Sequence, residues 1–447
     1  MILNRQKLVN FHSYKSARLA LDTLEASINS VKPEALVERA TRFDGESLLV
    51  RDINGNVSKA KFDDAYIVGA GKAAAGMADT LYSILKKRIA DSAITVPYGT
   101  KINNKNVTIT EAAHPLPDSS GIAGTKKILK VLKKAKNNDL VLILISGGAS
   151  ALMPMPVPGI SLSDKQRITS KLLQSGASIH EMNIVRKHLS AVKGGQLLRF
   201  INESCTIVSL IISDVIDDDL ATIASGPTYP DTSTFKDALK ILKKYRLVKR
   251  SEAVSKHIQR GARGEIKDTP KPSDPIFSKV QNMIIGNNTM ACKIATNYLQ
   301  EHGLRTVYLG SRFDGQAKDY GKFLARLACD LAATPFAIVA GGETIVKLNK
   351  SKNGRGGRNQ EAALAYAIEL ARKDIIAAFM GTDGIDGNSD AAGALVSPKA
   401  ISILKKLQLQ KYLDAHDSYS ALKKMNSLIF TGYTGTNVND IAIVIHY

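Results

Sequence analysis

Several turns rich in glycine and serine follow short apolar runs, and they hold the residues best suited to bind an anion. The first is Gly69-Ala70-Gly71-Lys72, which leads into a helical stretch. Glycine lets the backbone approach a ligand, and the free N–H groups at a helix start attract an anion. A lysine at such a turn is placed to meet a phosphate as a point charge. Because Ala73 replaces the Ser or Thr that follows the lysine of a Walker A loop, this turn is not a P-loop.

Two further turns in the first half offer hydroxyl and carboxylate groups. Ser146 to Ser150 (SGGAS) supplies backbone donors and two hydroxyls, but it lacks the last glycine of the GxSxG nucleophile elbow, which argues against acyl hydrolysis. Asp214 ends a buried apolar run, where a carboxylate can bind Mg²⁺ or accept a hydroxyl proton, and Ser225-Gly226 follows it. His114 lies in a loop rich in turn residues. The sequence supports two roles for its side chain equally, a contact with the substrate and a structural hydrogen bond.

The C-terminal part contributes three more turns of this kind, GGE at Gly341, GRGGRNQE at Gly354 and GTDGIDGNSD at Gly381. Arg358 follows a glycine-rich loop just before a helix, and its guanidinium offers a two-pronged hydrogen bond to a carboxylate or a phosphate. The acidic turn that contains Asp383 lacks the DxDxDG spacing of a calcium loop. It fits Mg²⁺ better, because one or two carboxylates hold that ion together with phosphate oxygens and water.

The elements that must position these turns repeat one pattern, a short β-branched run followed by the turn and a helical stretch. Runs such as Leu140 to Ile145 are continuously apolar, which predicts parallel strands covered on both faces and an α/β fold. In such sheets ligands bind beyond the carboxyl ends of the strands, and the turns that follow an apolar run, at Gly69, Ser146, Ser213, Gly341 and Gly381, each lie at such an end. A polar stretch containing prolines predicts a linker at 261–279 between domains at 1–260 and 280–447.

Composition and charge narrow the class of protein. The longest apolar run is far shorter than the about 20 residues of a membrane helix, and the charged N-terminal stretch is typical of a first helix and not of a signal peptide. Three widely separated cysteines argue against disulfides and zinc and favour a reducing cytoplasm. The net charge of +20 comes largely from scattered lysine pairs, which favours solvated helix faces over a nucleic-acid-binding surface. A positive field would still attract anionic ligands.

Ten stretches in order along the chain resemble the glycerate kinase family with a C-terminal MOFRL domain. They are VGAGKAAAGMA at Val68, HPLPDSSG at His114, LISGGASAL at Leu144, NIVRKHLSAVKGGQL at Asn183, ISDVIDDDLATIASGPTYPD at Ile212, IGNN at Ile285, AGGET at Ala340, GRGGRNQE at Gly354, GTDGIDGNSDAAGA at Gly381 and TGYTGTNVND at Thr431. Each stretch alone is a weak signal, whereas ten in order are specific.

The resemblance implies ATP-dependent phosphorylation of D-glycerate by an enzyme of the glycerate 2-kinase type. It also implies an N-terminal three-layer α/β/α domain with a mainly parallel, Rossmann-like sheet, a smaller C-terminal α/β domain, and an active site in the cleft between them. The family's proposed catalytic pair falls on Lys72 and Arg358. Many family members form 2-phosphoglycerate, and we expect the same product here, although no residue of this chain distinguishes the 2-hydroxyl from the 3-hydroxyl.

Combined with the chemistry of the turns, the resemblance gives a full set of predicted roles. Lys72 neutralises the transferring phosphoryl group, Arg358 holds the glycerate carboxylate or a phosphate, and Asp214 serves as metal ligand or proton acceptor, with Glu343 and Asp383 as further Mg²⁺ ligands. The remaining substrate or nucleotide contacts are Gly69, Gly71, His114, Ser146, Gly147, Gly148, Ser150, Ser225, Gly226, Asn287, Gly342 and Asp386. The predicted partners are D-glycerate and ATP, without nucleic acid or membrane, and a homodimer is left open.

Two other functions compete with this interpretation. Members of the family have been described as hydroxypyruvate reductases, and Gly69, Gly71 and Ala74 match a relaxed GxGxxA dinucleotide pattern. That pattern is incomplete, because no acidic residue ends a clear second strand about 20 residues later. A nucleic-acid-binding protein is the alternative from a different class, and a steep dependence of duplex binding on salt would identify it.

Overall fold

The computed structural model describes residues 1–331, 335–348, 354–370 and 374–446. The chain forms two compact units, which we call the N-terminal unit (Leu36–Ile285) and the C-terminal unit (Met1–Ala35 with Gly286–Tyr447). Among the described helices, none has the length and hydropathy that a membrane span requires.

The first helices of the chain belong with the C-terminal unit. They are α1 (Arg5–His12), α2 (Lys15–Ser30) and α3 (Pro33–Ala40), the last of which contains the passage to the N-terminal unit. Leu21, Leu24 and Ile28 lie on one face of α2 and are fully buried, as the helical spacing of apolar residues requires. Ser27 on the same helix donates a hydrogen bond to the carbonyl of Ala291, 2.6 Å away. This packing connects residues 1–35 to a segment 264 residues later in the chain.

The compact units therefore divide the chain at other positions than the predicted domains, 1–260 and 280–447. The predicted linker 261–279 lies inside the N-terminal unit, and the strand that follows it joins that unit's sheet. Lys279 accepts a backbone hydrogen bond from Ile207 at 3.1 Å, which anchors the end of this segment. Its polar composition agrees with its position on the surface of that unit.

The N-terminal unit contains a small antiparallel sheet and a large parallel one. The small sheet consists of β1 (Thr41–Phe43), β2 (Ser47–Arg51) and β3 (Val57–Lys61). The large sheet consists of β4 (Ala65–Ala70), β5 (Ile89–Pro97), β6 (Thr108–Ala112), β7 (Leu140–Ile145), β8 (Thr206–Ile212) and β9 (Val280–Gly286), in the order β6-β5-β4-β7-β8-β9. The pairs from β6 to β8 are all parallel, which confirms the predicted α/β class.

Every residue of the central strands β4 and β7 is buried, which is why their sequences are continuously apolar. The helices of this unit are α4 (Ala74–Leu85), α5 (Ser119–Leu132), α6 (Ala149–Leu152), α7 (Leu162–Gln174), α8 (Ile179–His188), α9 (Phe235–Lys244) and α10 (Glu252–Ala262). Short 3₁₀ turns occur at Lys86–Arg88, Gln196–Phe200, Ile216–Asp218, Ile223–Ser225 and Pro275–Phe277.

The C-terminal unit is built on a mixed sheet in the order β10-β11-β15-β12-β13-β14. Its strands are β10 (Arg305–Tyr308), β11 (Phe336–Gly342), β12 (Ile375–Gly381), β13 (Gly393–Val396), β14 (Leu428–Ile429) and β15 (Asp440–His446). Its remaining helices are α11 (Asn288–Glu301), α12 (Ala317–Asp330), α13 (Arg358–Glu369), α14 (Pro398–Ile401), α15 (Lys406–Asp414) and α16 (Ser418–Lys424).

The last strand, β15, lies between β11 and β12 and runs antiparallel to both. The strands β11 and β12 therefore run in the same direction, but an antiparallel strand that the sequence analysis did not foresee separates them. Gly342 at the end of β11 and Gly381 at the end of β12 both pair with Asp440, the first residue of β15. The turns after β11 and β12 are thus brought to one edge of the sheet, with a carboxylate between them.

Candidate functional site

The glycines of the Gly69–Lys72 turn are required by the neighbouring strand. A Cβ atom on Gly69 would lie 2.2 Å from the carbonyl oxygen of Leu144, and one on Gly71 would lie 2.1 Å from Ser146 Oγ. Gly71 also has φ +140°, a conformation that residues with a side chain rarely adopt. The missing side chains of these glycines therefore let β7 and the turn after it approach closely, and a ligand contact by Gly69 or Gly71 stays a prediction.

Hydrogen bonds lock the two turns together. The backbone N–H of Lys72 donates to the carbonyl of Gly147 at 2.9 Å, and the N–H of Ala73 donates to Ser146 Oγ at 3.0 Å. Ser146 therefore satisfies a free N–H group at the start of α4, a structural task. Lys72 itself is half-buried at the carboxyl end of β4, and its catalytic role stays a prediction.

His114 lies against the same pair of turns. Gly148 has φ +85°, and a Cβ atom there would lie 2.9 Å from Cδ2 of the His114 ring. The His114 side chain is exposed, so it covers the glycine turn from the solvent side. Asp214 follows β8 at the neighbouring carboxyl end and is half-buried. The parallel sheet thus brings Lys72, Ser146 and Asp214 to one edge, as the alternation of strands and turns implied, and His114 after β6 joins them there.

Two predicted serines meet at this edge. The hydroxyl oxygens of Ser150 and Ser225 lie 3.3 Å apart, and Ser225 donates to Asn183 Oδ1 at 3.2 Å. Ala224 and Ser225 have φ of 52° and 61°, so two residues with side chains are held in the left-handed region. Such strain persists only where the surroundings enforce it, and it is concentrated at functional sites.

The enforcing contacts come from a glycine pair that sequence reasoning did not select. The N–H of Gly194 donates to the carbonyl of Ser225 at 3.0 Å, and the N–H of Gly195 donates to the carbonyl of Gly226 at 2.7 Å. Both glycines have positive φ, 59° and 78°. The KGG segment of the NIVRKHLSAVKGGQL motif therefore fixes the turn that carries Ser225.

Basic side chains from this motif reach Ser150. Arg186 Nη2 donates to Ser150 Oγ at 2.5 Å, and Lys193 Nζ donates to the same atom at 2.7 Å. Lys193 is only 2% exposed. Burial, together with the positive charges of Arg186 and Lys165, lowers the pKa of Lys193 well below its usual value. None of these three cations was predicted as a site residue.

A pocket of about 550 Å³ opens next to this region. Its lining includes Asn183 and Lys187, but also the carboxylates Asp219, Asp231 and Asp237. Since Lys187 is already paired with Asp231 at 3.4 Å, the pocket wall carries more negative than free positive charge. The pocket is therefore a poor candidate for an anionic substrate.

In the C-terminal unit, Arg358 is the first residue of α13 and is held by two carboxylates. Its Nε donates to Asp440 Oδ2 at 2.6 Å, its Nη2 donates to Asp440 Oδ1 at 3.1 Å, and its Nη1 donates to Glu343 Oε1 at 2.8 Å. Asn359 Nδ2 adds a further bond to Asp440 Oδ1 at 2.9 Å. Burial raises the pKa of Asp440 to about 7, although Arg358 and Asn359 stabilise its ionised form. Asp440 is a residue that the sequence analysis missed.

Several other predicted contact residues have structural partners. Asp386 is buried and accepts hydrogen bonds from the N–H groups of Asn359, at 3.1 Å, and Gln360, at 2.8 Å, so it caps the start of α13. Asn287 caps α11 through the N–H of Met290, at 3.0 Å. A substrate contact by Asp386 or Asn287 stays a prediction, and their oxygens are already engaged in capping helices.

Carboxylates near Gly381 are suited to hold Mg²⁺. A Cβ atom on Gly381 would lie 3.4 Å from Asp383 Oδ1, 3.5 Å from Asp440 Oδ1 and 3.5 Å from Asn359 Nδ2, so two carboxylates and one amide group lie close to this glycine. In the described part of the chain, no group of three or more His, Cys, Asp or Glu side chains could hold a metal by itself. Mg²⁺ needs only one or two carboxylates when phosphate oxygens and water complete its shell, so these residues fit a magnesium–phosphate complex.

The fold and the two sites define a class of protein, a two-unit α/β chain that presents basic side chains and hydroxyls in one unit and an arginine between carboxylates in the other. Comparisons with known proteins agree along nearly the whole chain. Residues 19–259 match the model described as a domain of unknown function, DUF4147, and residues 336–440 match the MOFRL family. The glycerate 2-kinase of Pyrococcus horikoshii is 39% identical over 96% of this chain and 96% of its own length.

Two more relatives complete the comparison. A putative hydroxypyruvate reductase of Agrobacterium vitis is 38% identical over 85% of this chain and 98% of its own length. The crystal structure of glycerate kinase from Thermotoga maritima superposes with a TM-score of 0.83 at 37% identity, covering 96% of this chain and 99% of that one. The chain therefore belongs to the glycerate kinase family with a MOFRL domain, as its ten motifs predicted.

Proposed function

We propose that the protein transfers the γ-phosphoryl group of ATP to a hydroxyl of D-glycerate and releases 2-phosphoglycerate and ADP. The observation that carries this proposal is the similarity to the Pyrococcus horikoshii glycerate 2-kinase, which extends over 96% of both chains and so includes both units. The geometry supports the same chemistry, because phosphoryl transfer depends on positioning and on charge neutralisation more than on covalent catalysis.

Lys72 and Arg358 have different tasks in this reaction. Lys72 neutralises charge on the transferring phosphoryl group from a turn that hydrogen bonds hold rigidly. Arg358 is oriented by Asp440 and Glu343, so its guanidinium has a fixed position before a carboxylate or a phosphate arrives. Because Glu343 is 42% exposed, a ligand anion can displace it more readily than the buried Asp440.

Mg²⁺ is the cation that we expect the reaction to require. Asp383 and the nearby Asp440 would hold the ion in the C-terminal unit, with Glu343, the other carboxylate that contacts Arg358, as a further candidate ligand. Asp214 is a separate candidate that acts either as a ligand or as the acceptor of the hydroxyl proton. When bound, Mg²⁺ neutralises phosphate charge and orients the phosphate oxygens. Asp383 Oδ1 also accepts the N–H of Ile385 at 3.2 Å, which keeps the carboxylate close to Gly381.

A coupled assay tests the reaction and its product. The purified protein is mixed with Mg-ATP and D-glycerate, ADP release is followed, and the product is passed to enolase without phosphoglycerate mutase. ADP release with direct conversion by enolase supports the 2-kinase. ADP release that needs the mutase moves the phosphate to the 3-hydroxyl, and the absence of ADP release contradicts the proposal.

A hydroxypyruvate reductase is the second candidate, because one relative of similar identity has that name. In a dinucleotide-binding fold, an acidic residue at the end of the second strand binds the ribose. Here β5 ends at Pro97 and Tyr98 follows, so no carboxylate stands at that position. NADH oxidation upon adding hydroxypyruvate, without ATP-dependent turnover of D-glycerate, would favour this candidate.

A further inference from the structure

Three basic side chains converge behind Ser150, and we call Lys165, Arg186 and Lys193 the basic cluster. Lys193 Nζ contacts the carbonyl and hydroxyl oxygens of Ser150 at 3.1 and 2.7 Å, and Arg186 Nη2 contacts the same hydroxyl at 2.5 Å. Arg186 and Lys165 each place positive charge close enough to Lys193 to lower the pKa of its ammonium group. The cluster therefore concentrates positive charge beside a single hydroxyl.

Two of the three cluster residues lie on helices whose first turns are stabilised by capping boxes. Ser161 and Asp164 form a capping box at the start of α7, which places Lys165 in the first turn of that helix. Ser178 and Glu181 form the same motif at the start of α8, which carries Arg186 in its last turn. The charges are thus held by defined secondary structure and not by loose surface side chains.

The cluster is buried and has no counter-ion of its own. Lys165 is 7% and Lys193 2% exposed, and the ammonium nitrogen of Lys165 is buried without a hydrogen-bond partner. Within the described ranges, no aspartate or glutamate forms a salt bridge with any of the three, while the adjacent Lys187 has its own partner, Asp231, at 3.4 Å. Burial of unpaired cations is unfavourable unless an anion compensates them.

The cluster can be reached from the carboxyl edge of the sheet. Ser150 and Arg186 are half-buried, so they form the accessible side, whereas Lys165 and Lys193 lie behind them. Lys193 also donates to the carbonyl of Ala224 at 3.2 Å, which holds the strained turn in place and keeps the hydroxyl of Ser225 beside that of Ser150. Two hydroxyls and two cationic donors thus point to one location.

We propose that the basic cluster binds an anionic oxygen group of the substrate, a carboxylate or a phosphate, with Arg186 and the Ser150 hydroxyl in contact with it and Lys165 and Lys193 supplying the charge behind them. This rests on the proposed function for the identity of the ligand, either the carboxylate of D-glycerate or a phosphate of the nucleotide. Three residues are thereby added to the candidate site. Anion binding also accounts for buried cations that would otherwise only destabilise the fold.

Lys165 provides a signature that a purely structural lysine would not give. Burial and the nearby Arg186 lower the pKa of Lys165 to about 7, so part of the population is neutral at pH 7.5. An anion bound beside the cluster favours the charged form, and binding then takes up a proton. Titration calorimetry in two buffers with different ionisation enthalpies measures this uptake.

The experiment compares the full-length wild type with Lys165→Met, Arg186→Gln and a control, Lys171→Met. Lys171 lies on the same helix as Lys165 but is exposed, so its substitution changes the net charge equally without touching the cluster. The probes are inorganic phosphate, D-glycerate and the non-hydrolysable ATP analogue AMP-PNP. For the probe that occupies the cluster, we expect Lys165→Met and Arg186→Gln to raise Kd about 10-fold or more, as for loss of a charged hydrogen-bonding group.

The outcomes separate the two sources of the anion. Weaker binding of D-glycerate with unchanged binding of AMP-PNP assigns the cluster to the carboxylate, and the reverse assigns it to a nucleotide phosphate. Equal affinities of all variants for all three probes, with no proton uptake specific to the wild type, overturn the proposal. Binding of inorganic phosphate tests the basic cluster independently of the proposed kinase activity. If the wild type releases no ADP with D-glycerate, the proposed function is contradicted, but the phosphate titration still shows whether the cluster binds an anion.

Discussion

Replacing Lys165 by methionine should stabilise the N-terminal unit, and the gain should depend on pH. In the folded protein the pKa of Lys165 is lowered from 10.5 to about 7, chiefly by burial and then by Arg186. The unfolded chain therefore binds more protons than the folded protein between these two values. Stability of the wild type accordingly rises with pH across this window, and Lys165→Met lacks that contribution.

The magnitude follows from the size of the pKa shift. Each unit of pKa shift corresponds to about 1.4 kcal/mol. Lys165 therefore lowers the free energy of unfolding by at most about 4 kcal/mol at pH 7 and by about 1.4 kcal/mol at pH 9.5. Methionine has a similar length and no charge, so it fills the same volume without this cost. For a unit of about 250 residues, each kcal/mol corresponds to about 2–4 °C in Tm, which gives a gain of roughly 8–16 °C at pH 7 and roughly 3–6 °C at pH 9.5.

Differential scanning calorimetry at the two pH values measures this gain, because it follows the unfolding of each unit directly. Lys171→Met is the matched control, and it should change stability by no more than about 0.5 kcal/mol at either pH. A gain that is the same at pH 7 and pH 9.5, or a loss of stability in Lys165→Met, would refute the reasoning that this lysine is buried with an unpaired charge.

Three other predictions concern the turns at the strand ends. Gly69→Ala should destabilise the N-terminal unit by about 1–3 kcal/mol or more in urea unfolding, because its Cβ would lie 2.2 Å from a backbone oxygen of Leu144. Lys72→Ala and Arg358→Ala should each lower kcat/KM for D-glycerate about 100-fold or more, and retention of most of the wild-type value would exclude a catalytic role for that residue. Gly381→Ala should keep the fold, since its Cβ would meet neighbouring atoms only at 3.4 Å or more, but it should raise the Mg²⁺ concentration needed for half-maximal activity. An unchanged Mg²⁺ titration would move the metal away from this glycine.

The buried strands of both sheets could be predicted because their signal is local. The run Leu140 to Ile145 coincides with β7, and the runs from Phe336 and Ile375 begin where β11 and β12 begin. Each is continuously apolar because both faces of the strand are covered, and this is visible in a few consecutive residues. The residues that follow such runs were therefore placed correctly at the carboxyl edge of a sheet.

The position of β15 could not be predicted in the same way. Its apolar run shows that residues near the chain's end form a buried strand, but nothing local indicates that it enters between β11 and β12. Strand order depends on contacts between distant parts of the chain. Asp440 was missed for this reason, since only its pairing with Gly342 and Gly381 brings it to Arg358.

The basic cluster was missed because a buried lysine and an exposed lysine cannot be distinguished in the sequence. The helix of Lys165 reads LSDKQRITSKLLQ, and its two lysines, one buried and one exposed, are of the same residue type in a polar segment. Most lysines on helices are solvated, so the sequence favoured that interpretation for both. Only the packing of α7 and α8 shows which one is withdrawn from water.

This distinction changes how the net charge of +20 should be understood. Exposed lysines create a field that salt screens within about 10 Å, so they affect how quickly an anion arrives more than how firmly it is held. Buried cations are screened far less, and their desolvation is already complete in the folded protein. An anion that reaches the basic cluster is therefore held by the weakly screened charge of Arg186, and it favours the charged form of Lys165, which takes up a proton on binding. A lysine-rich surface attracts many anions, whereas Lys165, Arg186 and Lys193 can hold one in a defined place.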